Sequence, residues 1–186
     1  MIQVLRKVAA FLKRIGVRAS PARIAVSSFA LAILTGALLL ILPVSSRARV
    51  WTDPVDALFT ATSAVCVTGL IVKSTPHYWS LFGQLVILTL IQVGGLGIMT
   101  MGAFAAILIQ RRLSMRFESV MSDIVETEVS ESVWTLVRFI CIFTFFLEAT
   151  GAVFLFFSWR ADFHGFGMRA YHSVFHSVSA FCNAGF

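Results

Sequence analysis

Charge is what this chain has least of. Only 13% of its 186 residues are charged, and acids are the rarer sign, with nine Asp and Glu against fifteen Lys and Arg. A soluble domain carries about a quarter of its residues as charges. With 58% hydrophobic residues and a mean hydropathy of +0.88, a water-exposed globule is excluded and a membrane protein is expected. Cysteine is also sparse. Cys66, Cys141 and Cys182 all lie in apolar surroundings, which excludes a disulfide scaffold and fits small buried residues.

The net charge of +6 is not a nucleic-acid signal, because of where it sits. Arg6, Lys7, Lys13, Arg14, Arg18 and Arg23 precede the first uncharged run, and Arg111, Arg112 and Arg116 follow the second. That is the positive-inside pattern, and it puts the N-terminus in the cytoplasm of a multi-pass protein. The 23 residues before the first run carry charges throughout, and the run is too long for a signal-peptide core, so no cleaved signal is expected.

Residues 1–23 form a basic N-terminal segment. Leu5, Val8, Ala9, Leu12 and Ile15 fall at helical spacing, which fits a helix lying on the membrane face; a free basic tail is the alternative. Ile24–Leu42 is uncharged and roughly 28 Å long as a helix, enough to cross the hydrocarbon. Pro43 ends it, and Asp53-Pro54 reads as a helix cap followed by its first residue. The helix so opened, Val55–Val65, has only about three turns, too few to cross. It stops near Thr68-Gly69, so a re-entrant helix is expected. Tyr78 and Trp79 suit an interfacial aromatic belt. Trp79–Ile109 is again uncharged, roughly 46 Å as a helix. The excess length implies tilt or a bend at Gly94, Gly95 and Gly97; those glycines instead permit close helix packing if no bend is present.

These segments give a first unit over 24–109 and a polar cytoplasmic connector over 110–132, holding Glu118, Asp123, Glu126, Glu128 and Glu131. A second unit, 133–186, opens with a span over Val133–Trp159. Glu148 lies deep in that span, where a carboxylate is a functional candidate or a hydrogen-bond partner for a neighbouring helix. A short helix over Arg169–Phe181 follows.

The two units share a repeated stretch. Phe59–Leu70 (FTATSAVCVTGL) and Phe175–Phe186 (FHSVSAFCNAGF) align without a gap and are identical at Phe59/Phe175, Ser63/Ser179, Ala64/Ala180, Cys66/Cys182 and Gly69/Gly185. A repeat of this kind beside membrane spans points to a pore made of repeated units. A monovalent cation crosses a membrane only where something replaces its hydration shell. Rings of backbone carbonyls do so, and glycine lets the chain turn them inward. A short helix aiming its C-terminus at the pathway adds a partial negative charge. Val67-Thr68-Gly69 and Asn183-Ala184-Gly185 suit that role.

TATSAVCVTGL, the following IQVGGLGIMT at Ile91–Thr100, and FHSVSAFCNAGF together resemble the Trk/Ktr/HKT superfamily of potassium transporters over almost the whole chain. The resemblance implies an all-α integral membrane fold: four helix–re-entrant pore loop–helix units around one pseudo-fourfold, potassium-channel-like pore, in a subunit that dimerises. It makes Gly69 and Gly185 the first two of four filter glycines. The filter would comprise Cys66, Val67, Thr68, Gly69 and Leu70 with Cys182, Asn183, Ala184, Gly185 and Phe186, and potassium would sit at the carbonyls of residues 67–69 and 183–185. Serine at the first filter position accompanies sodium transport in the plant branch, so Gly69 points to potassium. The short N-terminus resembles the Ktr branch, which implies a cytosolic nucleotide-binding regulatory ring, sodium as a coupling or stimulating ion, and the plasma membrane as location. The counterpart of Trp79–Ile109 in the second unit would fall at 195–225, so half a pore is expected here.

Two other classes compete. His172 and His176 sit four apart on a helix, as zinc ligands can, but a metalloprotease motif requires Glu where Ser173 stands, and no third ligand is evident. The equivalent positions of the first copy are Asp56 and Thr60. Ser63 and Ser179 lack a base partner, so helix-end hydrogen bonding is expected of them. No enzyme is expected. The remaining alternative is a non-conducting membrane protein that assembles with or modulates a full transporter.

Overall fold

The computed structural model describes residues 21–114, 125–161, 163 and 165–186. The expected helix over residues 2–15 and the middle of the connector, including Glu118 and Asp123, lie outside the described residues. Helices make up every described element: α1 (Pro21–Ile41), α2 (Pro54–Val65), α3 (Thr75–Tyr78), α4 (Leu81–Ser114), α5 (Val125–Ser158) and α6 (Phe166–Phe181), with a short 3-10 turn at Pro43–Ser45.

Two of these helices are long and apolar enough to cross a membrane, over Leu81–Ala103 and Thr135–Ser158. The first expected span is shorter in apolar length. Its apolar stretch, Ala25–Ile41, has 17 residues, at the low end of what crosses a bilayer. Helices α4 and α5 each run 34 residues, about 51 Å at 1.5 Å per residue. Both therefore continue into the segment expected to be a polar connector.

Local chemistry sets the boundaries. Asp53 caps α2, its Oδ1 accepting from the backbone N–H of Val55 at 2.8 Å and of Asp56 at 3.4 Å, with Pro54 next in the chain. This satisfies two of the donors that a helix start leaves unpaired. Helix α6 opens at Gly165 without a side-chain cap, three residues earlier than expected.

Helix α2 packs on α1 and α4 through Ala57, Ala61 and Ala64, all fully buried. Small side chains at that spacing let backbones approach closely, which is how helices gain contact in lipid. The glycines of α4 do the same within an unbroken helix. A Cβ on Gly94 would strike the Val65 carbonyl, one on Gly95 would lie 2.6 Å from Cys182 Sγ, and one on Gly97 would lie 2.9 Å from the Phe29 ring. Close packing accounts for all three.

Trp79 is a correction. It does not join an interfacial belt but is fully buried, with its ring edge in the space left by the absent side chain of Gly83. A lone antiparallel bridge joins it to Ser46.

Candidate functional site

The two copies of the repeat end their helices in the same way. At the end of α2, the N–H of Val67 donates to Ala64 O (3.3 Å) and that of Thr68 to Ser63 O (3.0 Å); after α6, Asn183 donates to Ala180 O (3.0 Å) and Ala184 to Ser179 O (2.7 Å). This paired pattern is the Schellman motif, which requires a left-handed residue just past the helix. Val67 and Asn183 supply it, each with φ of 57°; two residues on, Gly69 and Gly185 each have φ of 71°. Glycine accepts that conformation freely and asparagine tolerates it, but a β-branched valine does so at a cost of about 1–2 kcal/mol. Packing against the buried core holds Val67 there. Within Cys66–Gly69 and Cys182–Gly185, positive φ falls on every second residue. Such alternation turns successive carbonyls toward the same side of the chain.

Serine hydroxyls fasten both loops. Thr68 Oγ1 donates to Ser63 Oγ at 3.0 Å. In the second copy, Ser179 Oγ accepts from the Phe186 N–H at 3.2 Å and lies 3.3 Å from Phe186 O. These are helix-end bonds, as expected from the absence of a base. The loops touch each other. A Cβ on Gly69 would collide with the Ala184 carbonyl oxygen and come within 3.3 Å of Gly185 Cα. Cys182 is buried against Gly95, whereas Cys66 is exposed. No basic residue occupies the last turn of α2 or α6, so the negative end of each helix dipole is left unneutralised beside its loop.

Glu148 is buried in α5 at 5% exposure. Its Oε2 accepts from Gln92 Nε2 on α4 at 3.2 Å, and its backbone carbonyl accepts from the Ser177 hydroxyl at 2.7 Å. Glu148 thereby joins α4, α5 and α6 directly behind the second loop. It lines a groove of about 440 Å³ with Gln92, Phe145 and Val178 among others. His172 and His176 are part of an aromatic cluster: His172 stacks on Phe163 at 4.8 Å and His176 meets Trp159 edge-on at 5.2 Å. Among the described residues they gather no metal-binding group of three. The first-copy counterpart of His172, Asp56, pairs instead with Lys73 at 3.3 Å.

The profile of the TrkH family, described as cation transport proteins, matches residues 6–186. The chain belongs to the TrkH family. The family is one of membrane transport proteins, not enzymes. Among curated relatives, the potassium/sodium uptake protein NtpJ of Enterococcus hirae is 39% identical over 174 residues. The Ktr system potassium uptake protein B of Vibrio alginolyticus is 38% identical over 174 residues, and that of Bacillus subtilis 36% over 172. The alignments cover 91–94% of this chain and 38% of each relative. The chain thus spans little more than a third of the length of these family members.

Sequence reasoning missed the left-handed backbone of Val67 and Asn183. The only signal available was the asparagine itself, since valine at the matching position argues against positive φ. It also missed Gln84, Gln92 and Tyr171, whose partners lie far away in the chain.

Proposed function

We propose that the chain supplies two glycine-centred filter loops to a potassium uptake pore, and that Cys66–Leu70 and Cys182–Phe186 are those loops. One observation carries this reading: the two loops repeat the same φ values, 57° then 71°, and meet at Gly69 and Ala184. Alternating hands align carbonyls on one side, as replacing a hydration shell demands. Carbonyls of residues 67–69 and 183–185 would hold the dehydrated ion. The dipoles of α2 and α6 would favour a cation as it enters. Glu148, behind the second loop, fixes the loop's support and does not contact the ion. Helices α1, α4 and α5 then span the plasma membrane with the N-terminus cytoplasmic, in keeping with the basic residues at 6–23.

The names of the relatives extend the proposal. NtpJ is named for potassium and sodium, and the others for a Ktr system, so sodium is proposed as a coupling or stimulating ion. A cytosolic nucleotide-binding ring and a second copy of the membrane subunit are the proposed partners.

The test is Gly69→Ser in the complete subunit, reconstituted in vesicles, with rubidium (standing in for potassium) and sodium uptake measured side by side. A fall in the rubidium-to-sodium ratio supports the filter assignment, and an unchanged ratio removes it. Growth at limiting potassium addresses the chain alone. Two loops flank only part of a pathway, so residues 1–186 are expected not to restore growth. Restoration would require several copies to assemble.

A further inference from the structure

Gln84, on α4, is 7% exposed and fully used. Its Nε2 donates to Trp79 O at 2.9 Å and lies 3.3 Å from Thr75 O, while its Oε1 accepts from the Tyr171 hydroxyl of α6 at 2.6 Å. The orientation of the amide follows from its partners. Two carbonyls can only accept, so the nitrogen must face them and the oxygen must face the hydroxyl. Trp79 O also receives Arg47 Nε at 3.3 Å. A single buried side chain therefore pins the segment returning from the first loop and, through its other end, grips the helix leading into the second.

The position of the grip matters. Helix α6 is secured to α5 at Ser177 and abuts α4 at Cys182, where Gly95 makes room for the thiol. Tyr171 lies eleven residues before Cys182, about 16 Å along the helix. It is the point where a hydrogen bond ties α6 to the helix of the preceding unit. With that bond intact, α6 is fixed to α4 at two points far apart along its length. Without it, α6 keeps its contacts with α5 but loses its distant tie to α4, so its tilt against α4, and with it the aim of the carbonyls at its end, is less constrained. On the α4 surface, Gln84, Leu88, Ile91 and Gly95 follow one another at three- and four-residue spacing, so the polar grip and the glycine contact share one face.

We propose that Gln84 and Tyr171 are specificity-determining positioning residues: they never touch the ion, but their hydrogen bond sets the separation of the two loops and with it the preference for potassium over sodium. This rests on the filter reading above. Selectivity by fixed carbonyls depends on distances that a less constrained tilt of α6 would blur. Support of this kind comes from side chains whose own geometry is locked by burial and hydrogen bonding.

The experiment uses the complete subunit in vesicles, with Tyr171→Phe, Gln84→Leu and the double variant, and reads the rubidium-to-sodium uptake ratio alongside the amount of folded protein. The net worth of one hydrogen bond caps the expected fall in the ratio at about tenfold, since only the part felt differently by the two ions is read. The double variant should fall no further than Gln84→Leu, because both changes break one network. An unchanged ratio in folded Tyr171→Phe overturns the inference, and so does a double effect equal to the product of the singles. If Gln84→Leu does not fold, Tyr171→Phe alone decides, since it deletes one oxygen and keeps the ring. A parent protein with no potassium preference would overturn the filter reading itself, whereas a selective parent with an unaffected Tyr171→Phe overturns only this one.

Discussion

Replacing Gly69 is the sharpest perturbation available. The residue has φ of 71°, where any side chain costs about 1–2 kcal/mol. The added Cβ would also run into the Ala184 carbonyl oxygen and lie 3.2 Å from the Ala184 carbonyl carbon. That neighbour is backbone and cannot rotate away, so either the Gly69 loop leaves its left-handed conformation or the second loop retreats. The strain alone reduces the advantage of the native geometry by about 5- to 30-fold, and the collision adds to it. Both effects reside in the Cβ, so Gly69→Ala and Gly69→Ser should lower the rubidium-to-sodium uptake ratio alike. Paired uptake measurements in vesicles, normalised to folded subunit, decide it. If serine alone changes the ratio while alanine leaves it intact, hydroxyl chemistry is responsible and the steric reasoning is wrong.

Gly95→Ala should lower the melting temperature of the detergent-solubilised subunit, at a cost of about 1–3 kcal/mol for overpacking, because its Cβ would come 2.6 Å from Cys182 Sγ. Combining it with Cys182→Ala should recover most of the loss, and additive losses would refute the contact. Asp53→Ala should destabilise α2 by about 1 kcal/mol through loss of its cap, and Asp53→Asn by much less, measured as chemical-denaturation midpoints. Glu148→Ala removes the acceptor of the half-buried Gln92 amide, a cost of about 1 kcal/mol. Glu148→Gln can keep that bond and should melt closer to the parent; equal melting of the two would refute the role of the Gln92 contact.

Much of the local structure was legible in the chain, and most of the long-range structure was not. Asp53-Pro54 announced the start of α2 because capping is a matter of adjacent residues, and the bonds to Val55 and Asp56 follow from that local chemistry. The left-handed backbone of Gly69 and Gly185 was legible for a similar reason: a glycine just past a short helix marks a turn that other residues resist. Val67 was not, because a β-branched residue in a left-handed position contradicts its own preference and is held there by distant packing. Trp79 was misjudged because an aromatic beside an apolar run looks the same whether it faces lipid headgroups or fills the gap over Gly83. Tyr171 and Gln84 are 87 residues apart, and nothing in either neighbourhood reports the other.

The meeting of Gly69 with Ala184 has a direction. If the loops met face to face, each would offer the same surface and the pair would be complete. Instead, the glycine of one loop abuts the carbonyl of the residue before the glycine in the next, so the contact is head-to-tail. Gly185 has the backbone conformation of Gly69, yet a Cβ built on it would meet nothing closer than Gly69 Cα at 3.6 Å. Head-to-tail contacts build a closed ring where the rotation returns on itself and an open row where it does not. Between these two loops the contact therefore runs one way: a side chain added at Gly69 presses on the second loop, whereas one added at Gly185 meets the first loop only at ordinary van der Waals distance.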